Sequence, residues 1–235
     1  MQSRRREIEF RDRKDAGEQL GRFLMSKYGH LNPLILGVPR GGAEIAYYVG
    51  SFLRSEVSIV ISKKLPMPGH KEMGFGAVAE DLSVYISPKF SSLLEPEIIC
   101  KIIDDQTDEV NRRVQLYRNA SPLPDMSGRT VILVDDGIAT GVTLVPLLRL
   151  CRKHDAAKVI IAVPVCGKNY DSHLNDADAF EVLIKPDSFY AVGQVYALFG
   201  DLNDEELFNI LDKIDDLNTD IKTRNQALEG QNTLA

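Results

Sequence analysis

The chain predicts an α/β fold with a mostly parallel five-stranded sheet and helices on both faces, plus a small hood or lid region. Three observations lead there. Five short apolar runs recur, at 34–38, 57–62, 131–134, 159–165 and 180–184. Helical patterns alternate with them. The runs are nearly unbroken Val, Ile and Leu, as in strands buried on both faces, and alternation with helices favours parallel crossovers.

Each element follows in order. Asp12 or Asp15 can cap a first helix whose Ala16, Leu20, Phe23 and Leu24 share one face. The run L-I-L-G-V ends in Pro39-Arg40-Gly41-Gly42, a helical segment covers 43–53, and V-S-I-V-I-S returns at 57–62. Strand, turn, helix and strand in that length make a βαβ unit. Residues 63–76 (K-K-L-P-M-P-G-H-K-E-M-G-F-G) are rich in Pro, Gly and charge and read as a mobile loop, the core of a lid or insert over about 63–95. From residue 77, A-V-A-E-D-L-S-V-Y-I-S reads as a strand pair turning near Glu80 and Asp81.

Over 96–118, Ile98, Ile99, Ile102, Ile103, Val110, Val114 and Tyr117 form a helical stripe, with Pro96 near the start where it is tolerated. After the strand at 131–134 come a helix to about Lys153, a strand at 159–165, a short helix near 170–177 and a strand at 180–184. A helix over 205–217 closes the core. The polar residues 218–235 read as a flexible tail, so the expected domain is 1–217, with hood contributions from the N-terminus and about 185–217.

A chain of 235 residues suits one domain with an elaboration. The net charge of -6 argues against a broad nucleic-acid-binding face, though single basic residues can still serve a phosphorylated small molecule. Cys100, Cys151 and Cys166 are odd in number and widely spaced, which fits a reducing cytoplasm without a disulfide frame or zinc site. No apolar run reaches the ~18 residues of a membrane span. The basic start M-Q-S-R-R-R-E lacks the apolar core of a secretory signal.

The chemistry concentrates in V-I-L-V-D-D-G-I-A-T-G-V-T, residues 131–143. Two adjacent carboxylates at the end of a buried strand are costly without a partner. Asp135 and Asp136 could cap the next helix and face water, or begin a metal site, or hold sugar hydroxyls beside a transient Mg²⁺. The loop after them favours the third. Gly137 and Gly141 allow close backbone approach, successive N–H groups and the following helix N-terminus form an anion cradle, and Thr140 and Thr143 add hydroxyls. No G-K-[ST] or G-x-G-x-x-G occurs here, which disfavours a nucleoside triphosphatase or dinucleotide site. Acids for a diol beside amides for a phosphate describe a ribose 5-phosphate.

This segment resembles the signature of the type I phosphoribosyltransferases, which bind 5-phosphoribosyl 1-pyrophosphate (PRPP). F-R-D-R-K-D-A-G-E-Q-L, G-V-P-R-G-G, K-K-L-P-M-P-G-H-K-E-M-G-F-G-A-V-A-E and D-S-F-Y-A-V-G-Q-V-Y resemble a subgroup of uncharacterised phosphoribosyltransferases, so the likeness covers residues 10–207. It implies that Asp135 and Asp136 contact the ribose hydroxyls and the magnesium shell. Gly137, Ile138, Ala139, Thr140, Gly141 and Thr143 would hold the 5-phosphate. Arg40 and the Gly41 and Gly42 amides would face the pyrophosphate, with Lys64 and its neighbour Lys63 as the basic position after the second strand.

The implied reaction displaces pyrophosphate from C1 of PRPP by a ring nitrogen, with Arg40 and Lys64 supplying fixed positive charge and Mg²⁺ the electrophile. The expected partners are PRPP and a nitrogenous base, with a homodimer as the candidate assembly. Phe189 or Tyr190 would stack on the base, and Glu72 in the lid would contact substrate or a proton. Two positions depart from the family pattern. Ala139 stands where the hypoxanthine and guanine enzymes carry an Asp, and Pro146 lies where the helix after the loop should already run, so that helix should start late or bend. A non-catalytic sensor of PRPP or nucleotide is the competing class, and a phosphosugar hydrolase lacks a nucleophile motif such as G-x-S-x-G.

Overall fold

The computed structural model describes residues 9–90 and 93–232, apart from the side chains at 71, 72 and 228–232. Asp12 is the first helix's N-cap: its carboxylate accepts from the Asp15 N–H at 2.8 Å, and α1 runs Arg13–Tyr28. The βαβ unit is β1 (Leu34–Gly37), α2 (Gly41–Leu53) and β2 (Val57–Ile59). The second half is β6 (Thr130–Val134), α4 (Leu144–Lys153), β7 (Lys158–Val165) and β8 (Ala179–Ile184). The main sheet has the order β2-β1-β6-β7-β8 and is parallel throughout.

Alternation along each strand buries both sheet faces. On one face Ile35, Ile132, Val134, Ile160 and Ala162 pack with Leu20 and Leu24 of α1 and Ile45 and Val49 of α2. On the other, Leu36, Leu133, Ile161 and Val163 meet Leu147 and Leu150 of α4. Chain order reverses between β1 and β6, which is where open parallel sheets bind ligands. Gly37 pairs with Val134 there, so the turn after β1 and the loop after β6 leave the sheet side by side.

Four expectations need correction. The run at 57–62 is broken: β2 ends at Ile59, and Ser62 opens β3 (Ser62–Met67) in a second sheet. Residues 63–76 are not a loop. β3 pairs antiparallel with β4 (His70–Ala79), which pairs with β5 (Val84–Ile86), and the turn between the last two falls at 80–83 as expected. The Pro and Gly content has a local cause. Pro66 sits where the β3–β4 register shifts, as strand prolines do at irregularities, and a Cβ on Gly74 would lie 2.2 Å from the Lys64 Cγ.

The third correction concerns Pro146. It is the third residue of α4, and the first N–H groups of a helix have no intrahelical acceptor, so it costs no helical bond there. The fourth is the tail: the closing helix α5 runs Asp204–Asn232, and Asn218 lies within it. Asn218 Oδ1 accepts from the Val57 N–H at 2.9 Å, and its Nδ2 donates to the Val57 carbonyl at 2.8 Å.

The hairpin sheet is anchored from one side by α3 (Pro96–Arg118), which starts on Pro96 as expected. Arg118 forms a two-armed ion pair with Glu80, one arm at 3.0 Å, with the two side chains only 9% and 6% exposed. Glu80 also accepts from the Ile61 N–H at 2.8 Å, and Arg118 donates to the Ile59 carbonyl at 3.1 Å. One charge pair thus fastens the hairpin to the end of β2. The short segment near 170–177 is a 3-10 turn, Ser172–Asp176.

Candidate functional site

The loop after β6 is fixed from both sides. Its Ile138 N–H donates to the Val165 carbonyl at 2.8 Å, and its Thr140 carbonyl accepts from the Asp171 N–H at 2.9 Å. Ile138 is therefore a structural member of the loop, with its amide spent on β7 and its side chain 2% exposed. Gly141 has φ 74°, a left-handed conformation that glycine adopts without penalty, and its carbonyl accepts the Leu144 N–H that opens α4. The Ser62 hydroxyl donates to the Thr143 carbonyl at 3.0 Å, so β3 is tied to the same loop.

These ties border an open cavity of about 160 Å³ lined by Asp135, residues 137–144, Lys64 and Val192. It stands at the N-terminus of α4, where amides and the helix dipole favour an anion. Lys64 and Lys63 alternate across β3 and divide accordingly. Lys64 lines the cavity, whereas the half-buried Lys63 has its amine pushed below the ordinary lysine value, by burial first and then by Arg113. The structure thus brings together Lys64, Asp135, Gly137, Ile138, Ala139, Thr140, Gly141 and Thr143.

The acid pair sits at the end of β6. Asp135 Oδ1 accepts from the Asp136 N–H at 2.8 Å. Burial pushes both carboxyls above the ordinary aspartate value; the charge of Asp136 pushes Asp135 further, and Arg13 opposes the rise at Asp136. The Arg13 Nε donates to Asp136 Oδ2 at 2.8 Å, and the Tyr196 hydroxyl donates to the Asp136 carbonyl at 2.7 Å. Gly41 packs on the same carboxylate, since a Cβ there would lie 2.0 Å from Asp136 Oδ2. Gly42 lies against Val134 and Asp135, so the P-R-G-G turn and the acid pair form one surface.

Other candidates lie elsewhere. Arg40, which follows a cis peptide bond from Pro39, sends its guanidinium to the Leu202 carbonyl and to Asp204, 3.5 Å away. The cavity lining does not include it. Tyr190 is 83% exposed and turned to solvent. Phe189 is half-buried against Gly167, beside the Ala139 carbonyl, and so stands next to the loop. Glu72 is in β4, and its side chain lies outside the described residues.

Two residues escaped the sequence reading. Arg13 is 8% exposed although charged; it is the second Arg in F-R-D-R-K-D, one residue past the cap, and nothing local marks it as the buried one. Val192 lies in D-S-F-Y-A-V, where the aromatics drew attention away from it. Around Arg13 the N-terminal and C-terminal segments join: Phe10 bridges Tyr196, and Phe199 lies 4.1 Å below the Arg13 guanidinium.

A five-stranded parallel sheet, with an acid pair and a Gly- and Thr-bearing loop at its switch point and a hairpin beside it, defines a class. Residues 11–199 match the model of the phosphoribosyl transferase domain, and the chain belongs to that family. Two proteins from two strains of Mycobacterium tuberculosis, named provisionally as phosphoribosyl transferases, are each 33% identical over 207 residues. That alignment covers 87% of this chain, and the chain spans about half the length (46%) of those relatives. The crystal structure of TT1426 from Thermus thermophilus is similar at a TM-score of 0.72 and 33% identity, covering 87% of this chain and 98% of that one. Among the described residues, no helix is long and apolar enough to cross a membrane.

Proposed function

We propose that the chain transfers the 5-phosphoribosyl group of PRPP to a nitrogenous base, with release of pyrophosphate. The observation that carries this reading is the cavity, in which Lys64 from the hairpin meets the phosphate-type loop with Asp135 at its edge. The loop amides and the Thr140 and Thr143 hydroxyls hold the 5-phosphate, and Asp135 accepts from the ribose diol. As the C1–O bond breaks with its electron pair going to pyrophosphate, a C1–N bond forms to the base, whose ring nitrogen passes its proton to the departing pyrophosphate or to water. Lys64 sits to meet charge growing on the leaving group, an effect that acts on the transition state more than on the ground state.

The donor set suits magnesium in its usual role. No group of three or more His, Cys, Asp or Glu side chains clusters for a metal among the described residues. A single carboxylate such as Asp135, completed by substrate oxygens and water, is how Mg²⁺ is commonly held with phosphates. When bound it would neutralise pyrophosphate charge. The hairpin is the element best placed to exclude water. Unbridged Cys100, Cys151 and Cys166 suit a reducing compartment such as the cytoplasm.

Pyrophosphate release from Mg·PRPP across a panel of purines, pyrimidines and other heterocycles tests the reading. Release with one acceptor supports it. A second reading, a sensor that binds PRPP or nucleotide without turnover, is favoured by one observation: Arg40 is committed to Leu202 and Asp204. PRPP binding with no acceptor turned over would select the sensor. A protein that binds neither PRPP nor ribose 5-phosphate would end both.

A further inference from the structure

We propose that Asp171 is a positioning residue for the loop after β6: braced by Tyr85 and His173, it sets the direction of the Thr140–Gly141 peptide and so presents the Gly141 N–H to a bound phosphate. The ligand in this inference rests on the phosphoribosyl reading.

The Asp171 N–H donates to the Thr140 carbonyl at 2.9 Å. The peptide between Thr140 and Gly141 is trans, so its N–H points opposite to its carbonyl. Holding the carbonyl on Asp171 therefore turns the Gly141 N–H away from Asp171, and no backbone carbonyl among the described residues takes it. A flipped peptide would aim the carbonyl at the anion instead. Gly141, at φ 74°, has more backbone freedom than any other residue type would have there, so its direction has to be imposed from outside. The turn that opens on Asp171 also abuts Gly141 directly, since a Cβ there would lie 2.4 Å from the Leu174 Cδ1.

The carboxylate of Asp171 fixes its own backbone. Its Oδ2 accepts from the Tyr85 hydroxyl at 2.6 Å. Its Oδ1 accepts from the His173 N–H at 3.0 Å and meets the His173 Nδ1 at 2.8 Å, a pairing that places the ring proton on Nδ1. Burial alone would raise the Asp171 carboxyl, yet hydrogen bonds from Tyr85 and His173 hold it below the ordinary aspartate value. Tyr85 is 3% exposed and belongs to β5, in the sheet whose β3 carries Lys64. Arg149 of α4 lies 5.2 Å over its ring. The network thus ties the hairpin sheet to the loop. Tyr85, Asp171 and His173 are all absent from the cavity lining, so any effect they have on a ligand passes through Thr140 and Gly141.

Calorimetric titration with ribose 5-phosphate, on folded protein well below its melting temperature, tests this. Asp171→Ala should weaken binding about tenfold or more, the scale of one charge-assisted hydrogen bond to the phosphate. Tyr85→Phe keeps the buried ring and should weaken it about threefold or more, as a brace acting at one remove. Asp171→Asn, whose carboxamide oxygen can still accept from the His173 N–H, should fall between wild type and Asp171→Ala. In the double variant Tyr85→Phe should add little to Asp171→Ala, because the hydroxyl acts through that carboxylate. With Mg·PRPP and an active acceptor, Asp171→Ala should raise KM for PRPP about tenfold with kcat within about threefold, since the 5-phosphate is held alike before and during the reaction.

A folded Asp171→Ala that melts lower yet binds ribose 5-phosphate as wild type does would overturn the proposal, leaving Asp171 a brace of the fold alone. Should that variant not fold, Tyr85→Phe with wild-type affinity overturns it equally. Additive losses in the double variant would also overturn it, since Tyr85 would then act by another route. Wild-type protein that binds no ribose 5-phosphate fails the phosphoribosyl reading and takes this inference with it, a result distinct from a wild type that binds and variants that match it.

Discussion

Arg118→Met is the sharpest test of how the hairpin is held. The substitution keeps most of the side-chain volume but strips a two-armed cation from Glu80, whose side chain is 6% exposed. The Ile59 carbonyl loses its donor from Arg118 at 3.1 Å as well. Breaking a buried pair from one side costs about 3–5 kcal/mol, because the remaining charge is left uncompensated. For a domain of this size each kcal/mol is worth about 2–4 °C, so the variant should melt roughly 6–20 °C lower. Glu80→Gln together with Arg118→Met should recover much of that, since a neutral amide at 80 can still accept the Ile61 N–H and leaves no bare charge. Melting followed by circular dichroism, with urea titration for the free energy, measures both steps. The reasoning fails if Arg118→Met shifts stability by less than about 0.5 kcal/mol, the scale of ordinary surface changes. It also fails if the double variant is less stable than Arg118→Met.

Four further predictions follow from the site. Burial and the Asp136 charge raise the folded-state Asp135 carboxyl, so the folded chain holds a proton that the unfolded chain releases. The stability gained is complete below the ordinary value of 3.8 and is lost as pH rises through the raised folded value. Asp135→Asn should therefore raise Tm at pH 7 and flatten its dependence on pH above 4; calorimetry showing a lower Tm with the slope unchanged would contradict this. Gly41→Ala places a methyl 2.0 Å from Asp136 Oδ2 and should cost about 1–3 kcal/mol as overpacking, read by thermal unfolding and spoiled by a neutral result. Lys64→Ala should lower turnover with ribose 5-phosphate binding nearly intact, and by more than Arg40→Ala, whose guanidinium is held at Leu202 and Asp204; steady-state kinetics with the reverse ranking would reject it. Ala139 offers no carboxylate to a 6-oxopurine, a service typically worth about 10²–10⁴ in rate, so hypoxanthine and guanine should be poor acceptors beside adenine or a non-purine base. An acceptor panel led by hypoxanthine or guanine would refute that.

Local signals carried much of the fold into view. Asp12 as a cap, Pro96 at a helix start and the apolar strands each act within a few residues, and each stands where the sequence placed it, apart from the run at 57–62, which splits after Ile59. The loop after β6 was legible for the same reason, because its glycines, hydroxyls and acids are contiguous. What escaped depends on partners far along the chain. Arg13 finds Asp136 after a separation of 123 residues, and nothing in R-D-R-K-D distinguishes the arginine that is buried from those that are not. The hairpin was misread because Pro66 and Gly74 are loop residues by composition. One marks an irregular register and the other makes room for Lys64, which only the paired strand reveals. Helix α5 continues past Leu217 although its sequence turns polar there, and the contact from Asn218 to Val57 crosses 161 residues. Arg40 was assigned to the leaving group from its motif, whereas the start of α5, with Asp204, claims its side chain.

The grip of Asn218 on Val57 bears on solubility. In the parallel pairing of β2 with β1, the Ile35 N–H takes the Glu56 carbonyl, so the amide groups of Val57 point to the outer margin of the sheet. That margin would otherwise offer a donor and an acceptor to any extended chain passing by, the usual route to strand-on-strand association. The Asn218 carboxamide copies the backbone of a missing neighbour, one acceptor and one donor, and occupies both sites. A chain cut after residue 217 would keep every strand and every residue of the cavity, yet present a bare template at β2. Its loss would show as self-association under light scattering, in a protein whose ligand site had not been touched.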